Sequence, residues 1–246
     1  MSFSIRTAAG LVAATAASLA CSPRQQTASD TPSVVMSASP SSSPSATPGS
    51  DWRPLFDGQS LAGWRGFKQE TPPSGWTVQD GMLVRTGRGG DLMTVAQYGD
   101  FELELEWMVE PGGNSGIIYR ISPDGDETYM SGLEMQVLDD ARHADGKVPL
   151  TAAGSLYGLY APPPGIAKPA GEWNTARIVA RGNHIEHWLN GTKVVEAELW
   201  SPDFNARLAK SKFTQWPQYA KSPRGHIALQ DHGDRVSYRN IRIREL

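Results

Sequence analysis

Phe101-Glu102-Leu103-Glu104-Leu105-Glu106-Trp107 decides the fold class, because apolar and acidic residues alternate over all seven positions. A period of two sends successive side chains to opposite faces of an extended strand. The segment therefore predicts a β-strand with one face in a core. We expect its acidic side to be a solvated sheet face rather than a catalytic group.

Turn signals and further short strands lie on both sides of this segment. Asp80-Gly81 and Asn190-Gly191 stand between apolar runs and favour the positive φ angles of tight hairpins. Further strand candidates are Gly116–Ile121, Gly132–Leu138, Trp173–Arg181, His184–Leu189, Thr192–Ala197, Gly225–Leu229 and Tyr238–Arg244. One short helix is predicted near Pro202–Ala209. About ten short strands with little helix predict an all-β sandwich or jelly roll of two sheets.

The first fifty residues differ in composition from the rest. Residues 1–21 carry one charge, Arg6, and an apolar stretch from Ala8 to Ala20 that is typical of a secretory signal. The stretch ends at Cys21, the single cysteine of the chain, in a context similar to a bacterial lipobox but with Ser18 where leucine is usual. We expect lipidation of Cys21; the alternative is an unlipidated signal with a chance cysteine.

Residues 22–50 are rich in Ser, Pro, Thr and Ala, and such a segment is expected to be a disordered tether. Residues 51–246 then form one folded domain. The sequence predicts an exported lipoprotein, periplasmic or anchored to the outer membrane, that meets the membrane through its lipid only. The net charge of −3 and the lack of a basic run argue against nucleic acid as a partner.

The segment from Gly132 to His143 concentrates groups capable of chemistry. If 132–138 is a strand, Glu134 and Gln136 project together from the face opposite the core, and Asp139 and His143 follow at its end. These groups predict a site. The alternative is a solvated sheet face followed by a charged loop.

A second cluster follows the strand predicted at 225–229. Gln230, Asp231 and His232 combine acid, base and hydrogen-bonding groups at a strand end. Asp231 and His232, together with Asp139 and His143, have the oxygen and nitrogen donors that a divalent metal ion would need. The spacing is not diagnostic of a metal, so a metal-free site stays open.

Aromatic residues are candidates for stacking against sugar rings. Trp107, Trp173 and Trp188 lie in strand patterns and are expected in the core, whereas Tyr157, Tyr160 and Tyr119 lie near the polar segments and are candidates for a groove. The sequence has no nucleophile elbow, phosphate-binding loop or dinucleotide fingerprint.

Motifs along the whole domain resemble the 3-keto-disaccharide hydrolase family. The resemblance begins with Leu55-Phe56-Asp57-Gly58-Gln59-Ser60-Leu61-Ala62-Gly63-Trp64 and continues through Asp100–Leu103, Gly112–Ile117 and Glu134–Asp139. It resumes at Gly154–Leu159, Lys168–Asn174 and His187–Gly191, and it closes with Gly225–Gly233 and Tyr238–Ile243. It therefore spans about residues 52–246.

The resemblance implies a concanavalin A-like jelly-roll sandwich of two antiparallel sheets and cleavage of 3-keto-glycosides. The C3 ketone acidifies the C2 hydrogen, so a base can form an enediolate that expels the C1 substituent before water adds. In this scheme His143 or His232 is the base, and Glu134 and Asp139 are acids or metal ligands. The residues expected to orient the substrate or stabilise the enediolate are Asn114, Arg120, Gln136, Tyr157, Lys168, Gln230 and Asp231.

Two other functions compete with an enzyme. A noncatalytic carbohydrate-binding module shares this fold class, and a structural envelope protein on a tether needs no small-molecule pocket. The fold also hosts glycosidases with an E-x-D-x-E strand, but this chain has Glu134, Gln136 and Asp139 at comparable positions. That difference argues against ordinary double-displacement chemistry.

Overall fold

The structure is a computed structural model that describes residues Asp51–Leu246. The predicted signal, the tether and Cys21 lie outside the described residues. Within the described part, no helix has both the length and the apolar composition needed to cross a membrane.

Thirteen strands dominate the described part of the chain. They are β1 Arg53–Pro54, β2 Trp64–Gly66, β3 Trp76–Gln79, β4 Met82–Arg85, β5 Leu92–Thr94, β6 Phe101–Val109, β7 Asn114–Ile121, β8 Leu133–Leu138, β9 Asn174–Arg181, β10 His184–Leu189, β11 Thr192–Glu198, β12 His226–Leu229 and β13 Val236–Glu245. One α-helix, α1 Pro202–Leu208, and short 3₁₀ turns at Thr128–Met130, Asp145–Lys147, Pro149–Thr151 and Lys212–Gln215 complete the elements.

The strands form two antiparallel sheets, which confirms the predicted jelly-roll sandwich. The larger sheet has the order β11-β10-β9-β6-β13-β4-β3, with β1 pairing to β13, and the smaller has the order β2-β5-β12-β7-β8. Both predicted hairpins are present: Asp80 and Asn190 have φ angles of 50° and 50°, and each is followed by a glycine with positive φ. Strands β1, β2 and β5, of two or three residues, were not predicted because they are too short to show a period.

The core lies between the two sheets. Trp107 is buried there, as predicted, but Trp173 and Trp188 are only half-buried. Each of these two stacks with an arginine, Arg239 over Trp173 at 3.9 Å and Arg177 over Trp188 at 5.4 Å from the ring centroid. The prediction that these two tryptophans belong to the core is therefore wrong.

The acidic face of β6 carries a ladder of ion pairs with β13. Glu102 pairs with Arg244 at 2.7 Å, Glu104 with Arg242 at 2.5 Å and Glu106 with Arg239 at 2.7 Å. The antiparallel register places each pair directly opposite, where opposite charges stabilise a sheet. These carboxylates are held in ion pairs, and Glu102 is buried rather than solvated as expected.

Helix α1 leads into the turn that supplies part of the site. Ser201 caps the helix by accepting the Phe204 N–H at 3.2 Å, and Pro202 occupies its first turn. Phe204 is buried, which fixes the helix against the body of the domain. The 3₁₀ turn Lys212–Gln215 follows after a short loop.

Candidate active site

The outer face of the smaller sheet brings distant parts of the chain together. Four residues on neighbouring strands lie side by side in one row: Met93 of β5, Ala228 of β12, Ile118 of β7 and Glu134 of β8. The neighbouring row holds Gly116 opposite Gln136, and Gln230 donates its backbone N–H to Gly116 at 2.9 Å. Glu134 and Gln136 therefore share the non-core face, as predicted.

A cavity of about 170 Å³ lies over these rows and is called here the Glu134 cavity. Its lining includes Asn114, Gln136, Asp145, Lys212 and His232. Tyr157 and Phe213 supply aromatic surface, and Tyr129 and Gln230 stand at one side. The cavity combines titratable, hydrogen-bonding and apolar groups, which is the composition expected for a small-molecule site.

Glu134 is the most perturbed titratable group of this cavity. It is 8% exposed, and no hydrogen bond to its carboxylate is found among the described residues. Burial raises the pKa of Glu134 to about 8; Lys212 opposes this shift, and the negative charges of Asp91 and Asp145 add to it. A carboxyl group that is largely protonated near neutral pH and faces a cavity is suited to proton transfer.

Both predicted histidines lie at this site. The rings of His143 and His232 meet edge to face with centroids 5.9 Å apart. His232 lines the cavity, and its Nδ1 lies 3.9 Å from the Asp234 carboxylate. His143 stands behind it, with Nδ1 accepting the backbone N–H of Asp145 at 3.1 Å.

The hydrogen bond at His143 Nδ1 also orients Asn114. A neutral His143 that accepts at Nδ1 carries its hydrogen on Nε2. Nδ2 of Asn114 stands 3.4 Å from this Nε2, and the buried Oδ1 has no partner in the described part of the chain. Two N–H groups cannot bond each other, so we assign the reversed amide, with its oxygen toward the ring. In that orientation the unpartnered position holds the NH₂ group, a donor available for a ligand.

Lys212 and Asp145 are functional candidates that the sequence did not reveal. The Lys212 ammonium lies 4.6 Å from the centroid of the Tyr157 ring, and the Tyr157 hydroxyl donates to Asp145 at 3.2 Å. Lys212 belongs to a 3₁₀ turn, so no strand period marked it. It is the cation of the cavity, the role for which Lys168 was predicted.

Asp139 and Asp231 hold loops rather than line the Glu134 cavity. Asp139 is buried and accepts the backbone N–H groups of Gly112 at 2.7 Å and Ala141 at 3.1 Å. Asp231 pairs with buried Arg85 at 2.6 Å. Their oxygens are already engaged, so the structure assigns both residues to shaping the loops that carry the histidines.

Arg120 and Lys168 lie away from the cavity. Arg120 is 2% exposed and donates to the Gly182 carbonyl at 2.7 Å. The pairing of β7 with β12 has a β-bulge at Arg120, opposite the register shift between His226 and Ile227, and Arg120 has a φ of 56° there. The bulge turns the Arg120 side chain away from the sheet face that carries Glu134. Lys168 donates to the Trp173 carbonyl at 3.0 Å, beside the larger sheet.

Two of the tyrosines predicted to line a groove are elsewhere. Tyr119 is buried in the core, where its hydroxyl lies 2.9 Å from Nε2 of His187. Tyr160 donates to Asp203 at 2.7 Å beside helix α1. Tyr157 lines the Glu134 cavity, as expected.

A second cavity of about 390 Å³ adjoins the first and is called here the Asp91 cavity. The two cavities share Tyr129, Gln230 and His232. Asp91 directly precedes β5, and its carboxylate accepts from the Thr128 hydroxyl and from the Asp231 N–H, the latter at 2.8 Å. Burial raises the pKa of Asp91 to about 6, against the effect of these two hydrogen bonds.

The four donors predicted for a metal ion do not converge among the described residues. The one group of three donors that meets there is His184, Glu186 and Glu196, on the β10–β11 hairpin of the other sheet. The Lys193 ammonium pairs with both carboxylates of that group, at 3.2 Å from Glu186 and 2.7 Å from Glu196, and offsets part of their charge. A divalent ion at the predicted donors therefore stays a prediction.

A larger groove of about 820 Å³ lies on the larger sheet. Its carboxylates, Glu104 and Glu106, are those of the ion-pair ladder. Because these groups are neutralised by arginines, the groove lacks the free acid–base groups of the Glu134 cavity. We therefore place the candidate active site at the Glu134 cavity.

Comparison with known proteins shows the family to which the chain is related. Residues 51–244 match the family described as the 3-keto-alpha-glucoside-1,2-lyase-like domain. A 3-keto-disaccharide hydrolase of Bacteroides thetaiotaomicron is 38% identical over 224 residues, 78% of this chain and 77% of that protein. A "putative glycosyl hydrolase" of Parabacteroides distasonis has a solved structure with a TM-score of 0.74 and 31% identity, covering 79% of this chain and 94% of that one. A second structure from that organism, with the same description, has a TM-score of 0.62 and 28% identity. It covers 79% of this chain and 99% of that one.

Proposed function

The chain belongs to the 3-keto-alpha-glucoside-1,2-lyase-like family, and on this premise we propose that it cleaves the glycosidic bond of 3-keto-glycosides in the Glu134 cavity. Its relatives support an enzyme that cleaves glycosides. The observation that carries the finer proposal is the buried Glu134 carboxyl, with a pKa of about 8, aimed into a cavity that His232 also lines.

The proposed reaction has two balanced halves. A base removes the C2 proton, the C2–H electron pair forms the C1–C2 double bond, and the C1–O bond breaks while an acid protonates the departing oxygen. Water then adds: its oxygen bonds to C1, one proton goes to the group that served as acid, and the former base returns its proton to C2. The net change is hydrolysis, and no oxidant or reductant is consumed.

We assign the base to His232 and the acid to Glu134. Below pH 8 Glu134 carries the proton that the leaving oxygen needs. A neutral imidazole at His232 can accept the C2 proton, and the nearby Asp234 carboxylate would stabilise the resulting cation. His143 is a positioning residue, because it packs against the His232 ring and orients Asn114.

The negative charge that develops on the enediolate oxygen needs a positive group or hydrogen-bond donors. Lys212 supplies the charge, and Asn114 and Gln136 supply amide donors in the same cavity. Removing one such donor or charge typically costs about 10²–10³-fold in rate. The cavity is therefore lined by an acid, a base and a cation.

The decisive experiment incubates the described domain with 3-keto-trehalose and 3-keto-lactose and measures the monosaccharide that is released. We expect release by the wild type, none from the unoxidised disaccharides, and a large loss in E134Q. Binding without release would indicate a carbohydrate-binding module. Neither binding nor release would favour a structural envelope protein.

We propose further that the chain is exported and anchored by a lipid at Cys21. The support is the sequence of residues 1–21 and the single cysteine. Labelling of growing cells with a fatty-acid analogue should mark the wild-type protein and not Cys21→Ser. Equal labelling of both would overturn the anchor, and it would leave the catalytic proposal untouched.

A further inference from the structure

The two adjoining cavities meet at the residue assigned as the base. His232 lines both of them, together with Tyr129 and Gln230. The bond that is cleaved must lie within reach of His232 and Glu134, because C2 and the C1 oxygen are separated by two bonds. A substrate whose keto sugar fills the Glu134 cavity therefore extends its leaving group into the Asp91 cavity.

The Asp91 cavity is rich in carboxylates. Asp91, Asp126, Glu127 and Asp231 line it, against one lining cation, Lys68. Lys68 pairs with Asp126 at 3.0 Å, and Asp231 pairs with Arg85 at 2.6 Å. No cation pairs with Asp91 or Glu127 in the described part of the chain. The cavity thus keeps a net negative charge.

The remaining surface suits an uncharged sugar. The rings of Phe67 and Tyr129 offer apolar faces for the C–H face of a pyranose, and the carboxylates at 126 and 127 accept hydrogen bonds from hydroxyls. An anionic substituent would instead be repelled by the carboxylates that line the cavity, and because Glu127 is exposed, added salt screens part of this repulsion.

We infer that the Asp91 cavity is the subsite for the leaving group, and that its unpaired carboxylates select an uncharged polyhydroxylated group over an anionic one. This inference rests on the proposed function and names its substrate class. Glu127 is the specificity residue that the test uses, because it is exposed and its carboxylate has no ion-pair partner in the described chain.

The test compares two 3-keto-glucosides that differ only in the leaving group, glucose in one and glucuronate in the other. We expect the wild type to prefer the glucose compound by about tenfold or more in kcat/KM at low salt, and less at high salt. Glu127→Lys should shrink this preference severalfold. Glu172→Lys is the matched control: it makes the same charge change beside the larger sheet, and it should keep the wild-type preference.

The outcomes separate this inference from the proposed function. Cleavage of the glucose compound without a preference between the two, or a preference unchanged in Glu127→Lys, would overturn the subsite assignment alone. Failure of the wild type to cleave either compound would overturn the proposed function itself. A preference in Glu172→Lys reduced as much as in Glu127→Lys would show a general effect of net charge and would also overturn the assignment.

Discussion

Gly116 lies directly beneath the carboxylate of Glu134. A Cβ atom on Gly116 would stand 2.3 Å from Oε1 of Glu134, far inside van der Waals contact. The lack of a side chain at Gly116 therefore leaves the space that the Glu134 carboxyl group occupies.

We expect Gly116→Ala to displace Glu134 and lower kcat by about 10²-fold, because small misplacements of catalytic groups have effects of this size. The clash involves the flexible end of a side chain, so the melting temperature should change little. Gly99→Ala is the control, since the nearest atom to its added Cβ lies 4.0 Å away. A variant Gly116→Ala with wild-type kcat would contradict the placement of Glu134 at the reaction.

The raised pKa of Glu134 also affects stability. A carboxyl whose pKa rises from 4.5 to about 8 on folding favours the folded state fully below pH 4.5 and loses that contribution as the pH rises through 8. Glu134→Gln cannot ionise, so it should be more stable than the wild type at pH 8 by about 1 kcal/mol or more, a gain of roughly 2–4 °C in melting temperature. Thermal unfolding of both proteins from pH 4.5 to 8.5 measures the gap, which should close at the acid end.

Lys212 should set the alkaline limit of activity. With Glu134 as the acid, kcat/KM falls above a pH of about 8, where that carboxyl ionises. Lys212 lowers the pKa of Glu134, so Lys212→Met should move this limit to higher pH and also lower kcat. Lys210→Met, an exposed change in the same segment, should leave the pH profile in place. An alkaline limit that is the same in Lys212→Met and in the wild type would argue against Glu134 as the acid or against Lys212 as the group that lowers its pKa.

The two histidines should differ in their effects. His232→Ala removes the assigned base and should lower kcat by about 10²–10⁴-fold. His143→Ala releases Asn114 and the His232 ring, so a smaller loss that includes a raised KM is expected. His184→Ala, on β10 of the other sheet, is the control. Full activity in His232→Ala would remove the base assignment, whatever the effect of His143→Ala.

Chelation tests the predicted divalent ion. The donors of the Glu134 cavity do not form a group of three in the described residues, so we expect turnover to survive prolonged dialysis against EDTA. Loss of turnover that an added divalent ion restores would show that a metal takes the role assigned to Lys212.

The alternation of apolar and polar residues was sufficient to predict β8 and the face that carries Glu134 and Gln136. Arg120 was expected at the site with the family resemblance, but a bulge in β7 shifts the period by one residue and turns that side chain toward Gly182. The alternation could not find Lys212, which reaches the cavity through the packing of helix α1 and its following turn. Asp139 and Asp231 have the right chemistry for a site, but backbone N–H groups and Arg85 engage them, and such partners are visible only after folding.

The row of Met93, Ala228, Ile118 and Glu134 also brings together strands from early and late parts of the chain. Strand β12 inserts between β5 and β7, although more than half of the domain separates it from each of them in sequence. Chains dominated by such non-local pairing fold slowly, on a scale of roughly milliseconds to seconds. The sheet that carries the Glu134 cavity is consequently completed by one of the last segments to be synthesised, because β12 is the strand that joins β5 to the β7–β8 pair.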